Sequence, residues 1–321
     1  MNRTPSGVTV RQDCTSSLEN KKSVMLLNKR IPLSYLIINI KFALVYVLIV
    51  SFSAHFFSKE HQESLPDMPL AIPAFIGTAI SVLLSFKISQ SYERWWEARK
   101  IWGSIVNDSR SLIIQLQSFV SSGNEEQIKK IAFRQIAWCY SLGRSLRGLG
   151  PLDNIDAFIS ADELNELKQH TNKPLAMLNV HGNDIKNLKE RNQLDVFAQV
   201  QLDSTIVRLC EAQGKAERIK NTVFPATYRS FLHAIIYLFV ITLSLSFKDI
   251  AWYFEVPLLI FISVPFFLLE SSAKDMQDPF ENRPTDTPVT AIARNIEINI
   301  KQMLKETAIP QPMQPETFHL S

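Results

Sequence analysis

The sequence predicts an all-α integral membrane protein with four transmembrane helices and a large helical cytoplasmic domain. Two runs without any charge, residues 68–86 and 230–247, contain 19 and 18 residues and are long enough to span a bilayer. Two further apolar stretches, residues 31–57 and 250–269, are interrupted only by Lys41 and by Glu255. The alternative is a set of core helices in a large soluble protein. We favour the membrane because four such stretches in one chain are hard to bury without lipid.

The overall composition is consistent with this segregation and excludes several function classes. The chain is 46% hydrophobic and 20% charged, with a mean hydropathy near zero, so apolar and charged residues must occupy different segments. It has only 9 glycines and no GxGxxG or GxxxxGK[ST] motif, which excludes the common nucleotide-binding loops. The histidines and cysteines lack metal-ligand or disulfide-framework spacing. A net charge of +3 gives no reason to expect a nucleic-acid partner.

The first part of the chain predicts the orientation. Residues 1–28 form a polar N-terminal leader, and residues 29–90 contain transmembrane helices 1 and 2. Six basic residues precede the first helix, whereas the loop after it has Lys59 as its one Lys or Arg. By the positive-inside rule, both termini and the central segment lie in the cytoplasm, with the protein in the plasma membrane. The first apolar stretch has no small-residue cleavage site, so it is not interpreted as a signal peptide.

The remaining segments are also predicted to be helical. Residues 91–224 form the cytoplasmic domain; residues 87–229, which contain it, carry 20 basic and 16 acidic residues. Turns are expected at residues 148–153 and 172–174. Residues 225–272 contain transmembrane helices 3 and 4. Residues 273–321 comprise a proline-broken linker, an amphipathic helix that starts at Pro288 with Thr287 as its cap, and a tail.

The residues of the membrane segments are compatible with two kinds of function, a proton-coupled transporter and an ion channel. A proton-coupled transporter needs ionisable groups at membrane depth. The candidates are Lys41, His233 and Glu255, which are better interpreted as interfacial or capping residues because no paired relay is visible.

Helix 2 has a different character, because it is free of charge and mixes small, hydroxylated and bulky apolar residues. Thr78, Val82 and Phe86 follow one another at helical spacing and form a single stripe. In an oligomer this stripe could form a hydrophobic pore constriction. It could equally be a contact between helices.

A motif after helix 2 favours the pore. Residues 91–110, SYERWWEARKIWGSIVNDSR, resemble the RWWEAR-type signature of the bestrophin family of ion channels. Further marks are Pro73 with Gly77, FPATY at residues 224–228 and DPF at residues 278–280, and the resemblance extends from about residue 28 to residue 307. It implies a bestrophin-like homopentamer with one central pore and a helical cytoplasmic vestibule.

The resemblance also implies the roles of individual residues. Thr78, Val82 and Phe86 would form the pore neck, and Phe197 would form a cytoplasmic aperture with Asp195 nearby. The alternative for Phe197 is an ordinary buried apolar residue. The signature residues are interpreted as structural, with the three tryptophans as interfacial anchors. Ion pairs are expected between Arg94 and Glu97 or between Glu97 and Lys100. The signature consists of Arg94, Trp95, Trp96, Glu97, Arg99 and Trp102.

Animal members of the family bind calcium through an acidic run after the DPF-like motif. Here Arg283 occupies a position where an acidic ligand would be expected, and a cation opposes calcium binding. We therefore predict weak or no calcium dependence and no cofactor. The competing interpretation is a degraded calcium site formed by Asp275, Asp278 and Asp286.

The leading hypothesis is a passive pentameric channel for monovalent ions that is not an enzyme. Its partners would be further copies of itself, membrane lipid and the permeant inorganic ions. Chloride is the family default. A cation-selective channel is the alternative, favoured by Asp195 and by the altered calcium segment. A non-conducting membrane scaffold whose cytoplasmic domain binds a partner is the alternative from another class.

Overall fold

The computed structural model describes residues 33–60, 68–222 and 225–314. The leader, Phe224 of the FPATY motif and the end of the tail lie outside these residues. All regular secondary structure in the described ranges is α-helical. The helices are α1 Leu33–Glu60, α2 Ala71–Phe119, α3 Glu125–Leu146, α4 Ala161–Lys168, α5 Lys173–Glu190, α6 Val196–Asn221, α7 Ala226–Ser246, α8 Trp252–Gln277 and α9 Val289–Met303.

Four of these helices are long and apolar enough to cross a membrane, namely α1, α2, α7 and α8. They pack on one another around their own apolar core, to which Ile80, Leu84 and Phe239 contribute. Gly77 of α2 lies against Phe239 of α7, and a Cβ at this glycine would come 3.1 Å from the Phe239 ring. A glycine here therefore allows close approach of the two helices.

The helix α2 belongs to both halves of the molecule. Its 49 residues span about 73 Å at 1.5 Å per residue, which exceeds the roughly 30 Å apolar thickness of a bilayer. The N-terminal part packs on α7 and α8, and the C-terminal part packs on α3, α6 and α9. The predicted change from membrane to cytoplasmic segment at residue 91 therefore falls inside one continuous helix.

The other half of the molecule, which is predicted to be cytoplasmic and is called the cytoplasmic half below, has a separate hydrophobic core built from α2, α3, α5, α6 and α9. Trp102 and Trp138 are fully buried there. The interpretation of Trp102 as an interfacial anchor is therefore wrong. Two turns of α2 beyond Trp95, its ring faces the cytoplasmic core and no longer the membrane surface.

A charged cluster is buried in the same half. Arg134 of α3 is fully buried and donates to Glu163 of α4 and, at 2.7 Å, to Asp184 of α5. His181 packs beside it, and burial together with the Arg134 charge holds the His181 pKa well below its usual value. These contacts join three helices, and removal of a single member would leave a buried charge without its partner.

The turns and caps agree with the sequence in part. Gly148 has φ +71° in the turn after α3, and the Asn172 side chain accepts a hydrogen bond from the Leu175 N–H at the start of α5. Thr287 does not cap α9, because its buried hydroxyl has no hydrogen-bond partner among the described residues. Pro288 occupies the capping position and cannot accept through a side chain.

Candidate functional site

One face of α2 is exposed along the membrane half of the subunit. Thr78, Val82 and Phe86 all lie on it, and 52% of Val82 and 63% of Phe86 is accessible. Successive members are about 6 Å apart along the helix axis. The Thr78 hydroxyl donates to the Ala74 carbonyl at 2.9 Å, which leaves its oxygen lone pairs facing outward as acceptors. The structure therefore presents these three side chains together on one free surface.

This face differs from the other exposed surfaces in the membrane half. On α1 the exposed side chains include Ile38, Phe42 and Ile49, and on α8 they include Phe254 and Phe261. Such large apolar groups are suited to lipid. The α2 face instead adds a row of exposed hydroxyls to the three neck candidates. These hydroxyls belong to Ser81, Ser85 and Ser89.

Directly behind this face lies a buried charge cluster that the sequence analysis missed. Lys87 of α2 is 1% exposed, and its Nζ lies 2.8 Å from Oε1 of Glu270 on α8. His233 Nε2 of α7 lies 2.9 Å from the same oxygen. His233, whose side chain is 37% exposed, therefore has a partner on another helix that the sequence did not reveal. Glu270 lies one residue beyond the apolar stretch 250–269, so no pattern in the sequence indicates the pairing.

Glu255 is likewise buried among helices. Its Oε1 accepts a hydrogen bond from Ser244 of α7 at 2.9 Å and a longer one from Ser51 of α1 at 3.4 Å. It lies in the first turn of α8, where the helix dipole favours a carboxylate. The carboxylate thus joins three helices, which differs from a simple interfacial position. Lys41, by contrast, is exposed as expected, with its Nζ over the Phe42 ring.

Arg94 joins the ends of two other helices to α2. Its Nη2 donates to the carbonyls of Ile219 at 2.8 Å and Thr222 at 2.9 Å, and its Nε donates to the carbonyl of Gln277 at 3.0 Å. The first two carbonyls lie in the last turn and at the cap of α6, and the third belongs to the last residue of α8. Carbonyls at helix ends have no hydrogen-bond partner within their own helix. A guanidinium supplies both the missing donors and a favourable charge. The sequence had suggested an ion pair between Arg94 and Glu97. Arg94 is instead bonded to backbone carbonyls.

The other signature residues extend this joint. The Trp95 Nε1–H donates to the carbonyl of Thr285 at 2.9 Å, which attaches the segment between α8 and α9 to α2. Trp96 remains 45% exposed, and Glu97 pairs with Lys100 on the surface, as expected. Arg99 is partly buried, and this burial lowers its pKa. Arg94 and Trp95 thus join distant parts of the chain to α2, and we call their contacts the signature joint.

The DPF motif belongs to the same joint. Asp278 caps the end of α8, and its Oδ2 lies 2.6 Å from Nζ of Lys220 near the end of α6. Its Oδ1 accepts from the Phe280 N–H at 3.2 Å, and Phe280 is fully buried in the cytoplasmic core. Asp278 therefore connects α6 to α8 and orients the following chain.

The other two candidate calcium ligands are also engaged by protein groups. Nη1 of Arg283 lies 3.2 Å from Oδ1 of Asp275, and the Arg283 backbone N–H donates to Oδ2 of Asp286 at 3.0 Å. Burial raises the pKa of Asp286 to about 6. In the part of the chain that the structure describes, no three His, Cys, Asp or Glu side chains are grouped so that they could hold a metal ion.

Phe197 lies at the first turn of α6 and is 85% exposed. The alternative interpretation of this residue as buried is therefore wrong. Asp195 caps the same helix, and its Oδ2 accepts from the Phe197 N–H at 2.9 Å while the residue stays exposed. Val196 and Val200 are exposed beside Phe197, so the start of α6 presents an apolar surface with a carboxylate at its edge.

Comparison with known families identifies the chain. The family model described as "Bacterial/Fungal Bestrophin protein" matches residues 18–302. The chain belongs to the bestrophin family. The signature joint, the α2 face and the exposed start of α6 are thus features of a bestrophin subunit.

Curated relatives of this bestrophin are named as channels. It is 26% identical over 286 residues to the voltage-dependent anion channel-forming protein YneE of Escherichia coli (strain K12), covering 89% of this chain and 91% of the relative. It is 24% identical over 284 residues to a voltage-dependent anion channel-forming protein of Ralstonia nicotianae, covering 87% and 90%. These relatives are named as channel formers and not as enzymes.

Solved structures show the same fold. The crystal structure of a bacterial bestrophin homologue from Klebsiella pneumoniae matches with a TM-score of 0.79 and 26% identity, covering 84% of this chain and all of that one. A point mutant of that homologue matches with a TM-score of 0.78 and 26% identity, covering 83% of this chain and 99% of that one. With four membrane-length helices and this fold, the bestrophin described here is a multi-pass membrane protein.

Proposed function

We propose that this bestrophin assembles as a homopentamer and conducts monovalent ions, with chloride as the default, through a neck lined by Thr78, Val82 and Phe86. The observation that carries the proposal is the exposed α2 face. It combines hydroxyls with moderately apolar side chains and contains no charge. A row of hydroxyls is suited to a narrow aqueous path, whereas the exposed faces of α1 and α8 carry the large apolar side chains that are suited to lipid.

The neck would act as a hydrophobic constriction. A ring of Phe86 side chains resists wetting, and a ring of Val82 one turn away does so less strongly. The Thr78 ring offers hydroxyl oxygens that can replace part of an ion's hydration. We therefore propose a neck that wets more easily than one lined by three large apolar side chains, and that has no fixed charge to select the sign of the ion.

Phe197 is proposed as the second constriction, at the cytoplasmic exit. The support for this role is its exposure. A phenylalanine that is 85% accessible buries almost no apolar surface in the isolated subunit, so it does not stabilise that subunit. A ring of these side chains around an axis would cover part of that apolar surface and narrow the exit. Asp195 would place five carboxylates close to this ring.

The sign of the permeant ion is the finer part of the proposal. The names of the relatives support an anion channel. The exposed carboxylate of Asp195 beside Phe197 favours cations instead and keeps a cation-selective channel as the second candidate. The relatives' names also make voltage dependence a property to examine.

Recordings from the purified protein in planar bilayers under asymmetric KCl test conduction and sign together. We expect a reversal potential near the chloride equilibrium potential. A reversal near the potassium equilibrium potential would establish the cation channel. Phe86→Ala should increase single-channel conductance, because it widens and hydrates the neck, whereas Phe261→Ala on the lipid-facing side of α8 is the matched control and should not. Silence from an intact assembly would favour the scaffold.

We also propose that calcium is not required. In the segment that carries calcium in animal members, the Arg283 guanidinium contacts Asp275 and the Lys220 ammonium contacts Asp278, while Asp286 accepts from the Arg283 backbone N–H. A calcium ion would have to displace these cations and collect six to eight oxygen ligands. We expect the current to be the same with micromolar calcium and with excess chelator. A severalfold loss in chelator would contradict this and would support the site at Asp275, Asp278 and Asp286.

The orientation is proposed from charge. The basic residues before α1 and the charged domain between α2 and α7 support a plasma-membrane protein with both termini in the cytoplasm. The length of that domain weakens its own contribution to the rule. A single cysteine introduced at an exposed position such as Ser122 should react with a membrane-impermeant thiol reagent only after the cells are opened, in a background without the native cysteines.

A further inference from the structure

A cavity in the cytoplasmic half takes no part in the proposed ion path. It has a volume of about 350 Å³ and lies between α3, the turns at residues 148–158 and the start of α9. This volume falls within the range of small-molecule sites. Neither the exposed α2 face nor the start of α6 contributes to its lining.

One side of the cavity is cationic. It is lined by Arg144 in the last turn of α3, by Arg147 at the C-terminal cap of α3 and by Arg294 of α9. The Nε atoms of Arg147 and Arg294 are buried and form no hydrogen bond with any described residue. A buried donor without an acceptor is costly, and the Arg147 Nε has no carboxylate near it in the cavity lining, so it has unused capacity to bind an oxygen atom.

The acidic residues of the cavity form ion pairs and hydrogen bonds with neighbouring side chains. Asp153 is paired with Arg144 at 2.7 Å. Glu297 accepts from the Tyr140 hydroxyl and from Lys301, both at 2.8 Å. Its Oε2 also lies 3.5 Å from Nε of Arg294, at the distance of an ion pair. Each carboxylate of the cavity is therefore already engaged.

Arg147 is the cation of the cavity that is least compensated by its direct partners. Its Nη1 donates to the Thr290 hydroxyl, which is a neutral acceptor. Burial lowers the Arg147 pKa; the charge of Asp286 opposes this effect, and the charge of Arg144 adds a smaller one in the same direction as burial. A bound oxyanion would supply the missing negative charge next to this guanidinium.

A wall of the cavity is formed by aromatic and aliphatic side chains. The rings of Tyr140 and Phe158 are stacked with an interplanar angle of 14° and centroids 5.9 Å apart. Leu149, Ala157 and Val289 complete this wall. An ion such as chloride or phosphate would use the guanidinium side only and would leave this apolar surface in contact with water.

We propose that this cavity binds a small organic anion that has a carboxylate or phosphate head and a flat apolar body. The head lies at Arg147 and Arg294, because guanidinium groups bind oxyanions through paired, charge-assisted hydrogen bonds. The body packs against Tyr140 and Phe158. Conduction is not needed for this binding, so the site stands or falls independently of the pore.

Binding of phenyl phosphate and benzoate to the full-length purified protein in detergent tests the proposal. We expect saturable binding by calorimetry and a rise in apparent Tm for at least one of them at constant chloride. The neutral analogue benzyl alcohol should not bind. Inorganic phosphate should bind at least tenfold more weakly than phenyl phosphate, since it lacks the body. Equal affinity for the two would overturn the role of the apolar wall, and no saturable binding of either aromatic anion would overturn the site.

Variants locate the site. Arg147→Gln should weaken binding by about tenfold or more, since it removes a charged hydrogen-bond donor. Arg191→Gln, at an exposed arginine outside the cavity, is the matched control and should bind as the wild type does. Ala157→Leu fills the cavity from an exposed edge without removing any charge, so it gives an answer even if the arginine variant does not fold. Unchanged binding in Ala157→Leu would place the anion elsewhere and contradict the proposal.

Discussion

Asp286 shows how one carboxylate in this bestrophin is controlled by its surroundings. It is 8% exposed, one oxygen accepts from the Arg283 backbone N–H, and the other has no hydrogen-bond partner among the described residues. Burial is the main reason that its pKa is raised from 3.8 to about 6. The folded protein therefore holds this proton more tightly than the unfolded chain does, and the associated stability is present below about pH 4 and lost as pH rises through 6.

Asp286→Asn should remove this pH dependence. At pH 7 the variant avoids a buried charge and should be more stable than the wild type, by up to about 3 kcal/mol for a shift of two pKa units. At pH 4 the two proteins should be equally stable, because Asp286 is then protonated. Apparent Tm values measured at several pH values between 4 and 7 check this. A difference that does not shrink as pH falls would show that the Asp286 charge is not the cause.

At the scale of elements, α2 carries a free face toward the proposed pore and a charged joint toward α7 and α8. Phe86 and Lys87 are adjacent in sequence but point in different directions, Phe86 outward and Lys87 into the subunit. The Glu270 oxygen that binds Lys87 also binds His233, so one carboxylate connects three helices behind the neck. These contacts fix the height and rotation of α2 in the subunit, and hence the position of the side chains of the proposed neck.

Lys87→Met should therefore be strongly destabilising. The substitution removes the buried cation and leaves Glu270 with His233 alone, and breaking a buried ion pair in this way typically costs about 3–5 kcal/mol. Lys100→Met is the matched control on the same helix, because the Lys100–Glu97 pair is exposed and should contribute under about 1 kcal/mol. Apparent Tm in detergent ranks the variants.

The double variant Lys87→Met with Glu270→Gln separates charge from packing. It should be more stable than Lys87→Met alone, since no unpaired buried carboxylate remains. If the double variant loses as much as the sum of the two single variants, the two side chains act independently, and the joint described above does not hold α2.

At the scale of the whole molecule, one subunit is an incomplete structure for a protein in membrane and water. Its cytoplasmic half exposes Phe197, Val200 and Val207 on α6, and its membrane half exposes the hydroxyl-lined α2 face. The apolar surface of α6 would be covered by neighbouring copies, and the α2 face would border a water-filled path between copies. A closed ring of identical subunits supplies both these copies and this path with one repeated interface.

The purified particle should therefore have the mass of five chains, each of 36.6 kDa, after correction for detergent. Light scattering combined with size-exclusion chromatography, or native mass spectrometry, measures this directly. A stable monomer or dimer would contradict the ring and with it the neck.

The amino-acid sequence was sufficient to predict an all-α membrane protein of the bestrophin family. Charge-free runs predicted the membrane helices, because lipid tolerates few charges over the length of a span, and the RWWEAR-type signature indicated the family. The α2 stripe was also predictable, because side chains four residues apart share one face of a helix whatever the surroundings. The Glu97–Lys100 pair was predictable for the same reason, since it is local.

The contacts between polar groups of different helices could be seen in the tertiary structure but could not be predicted from the sequence. His233 and Glu270 are 37 residues apart, and Lys87 is farther still, so no spacing rule relates them. The same holds for Arg94, whose partners are backbone carbonyls at the ends of α6 and α8, and for the arginine-lined cavity between α3 and α9. Helical periodicity gives the face on which a side chain lies, whereas the packing of distant helices gives its partner.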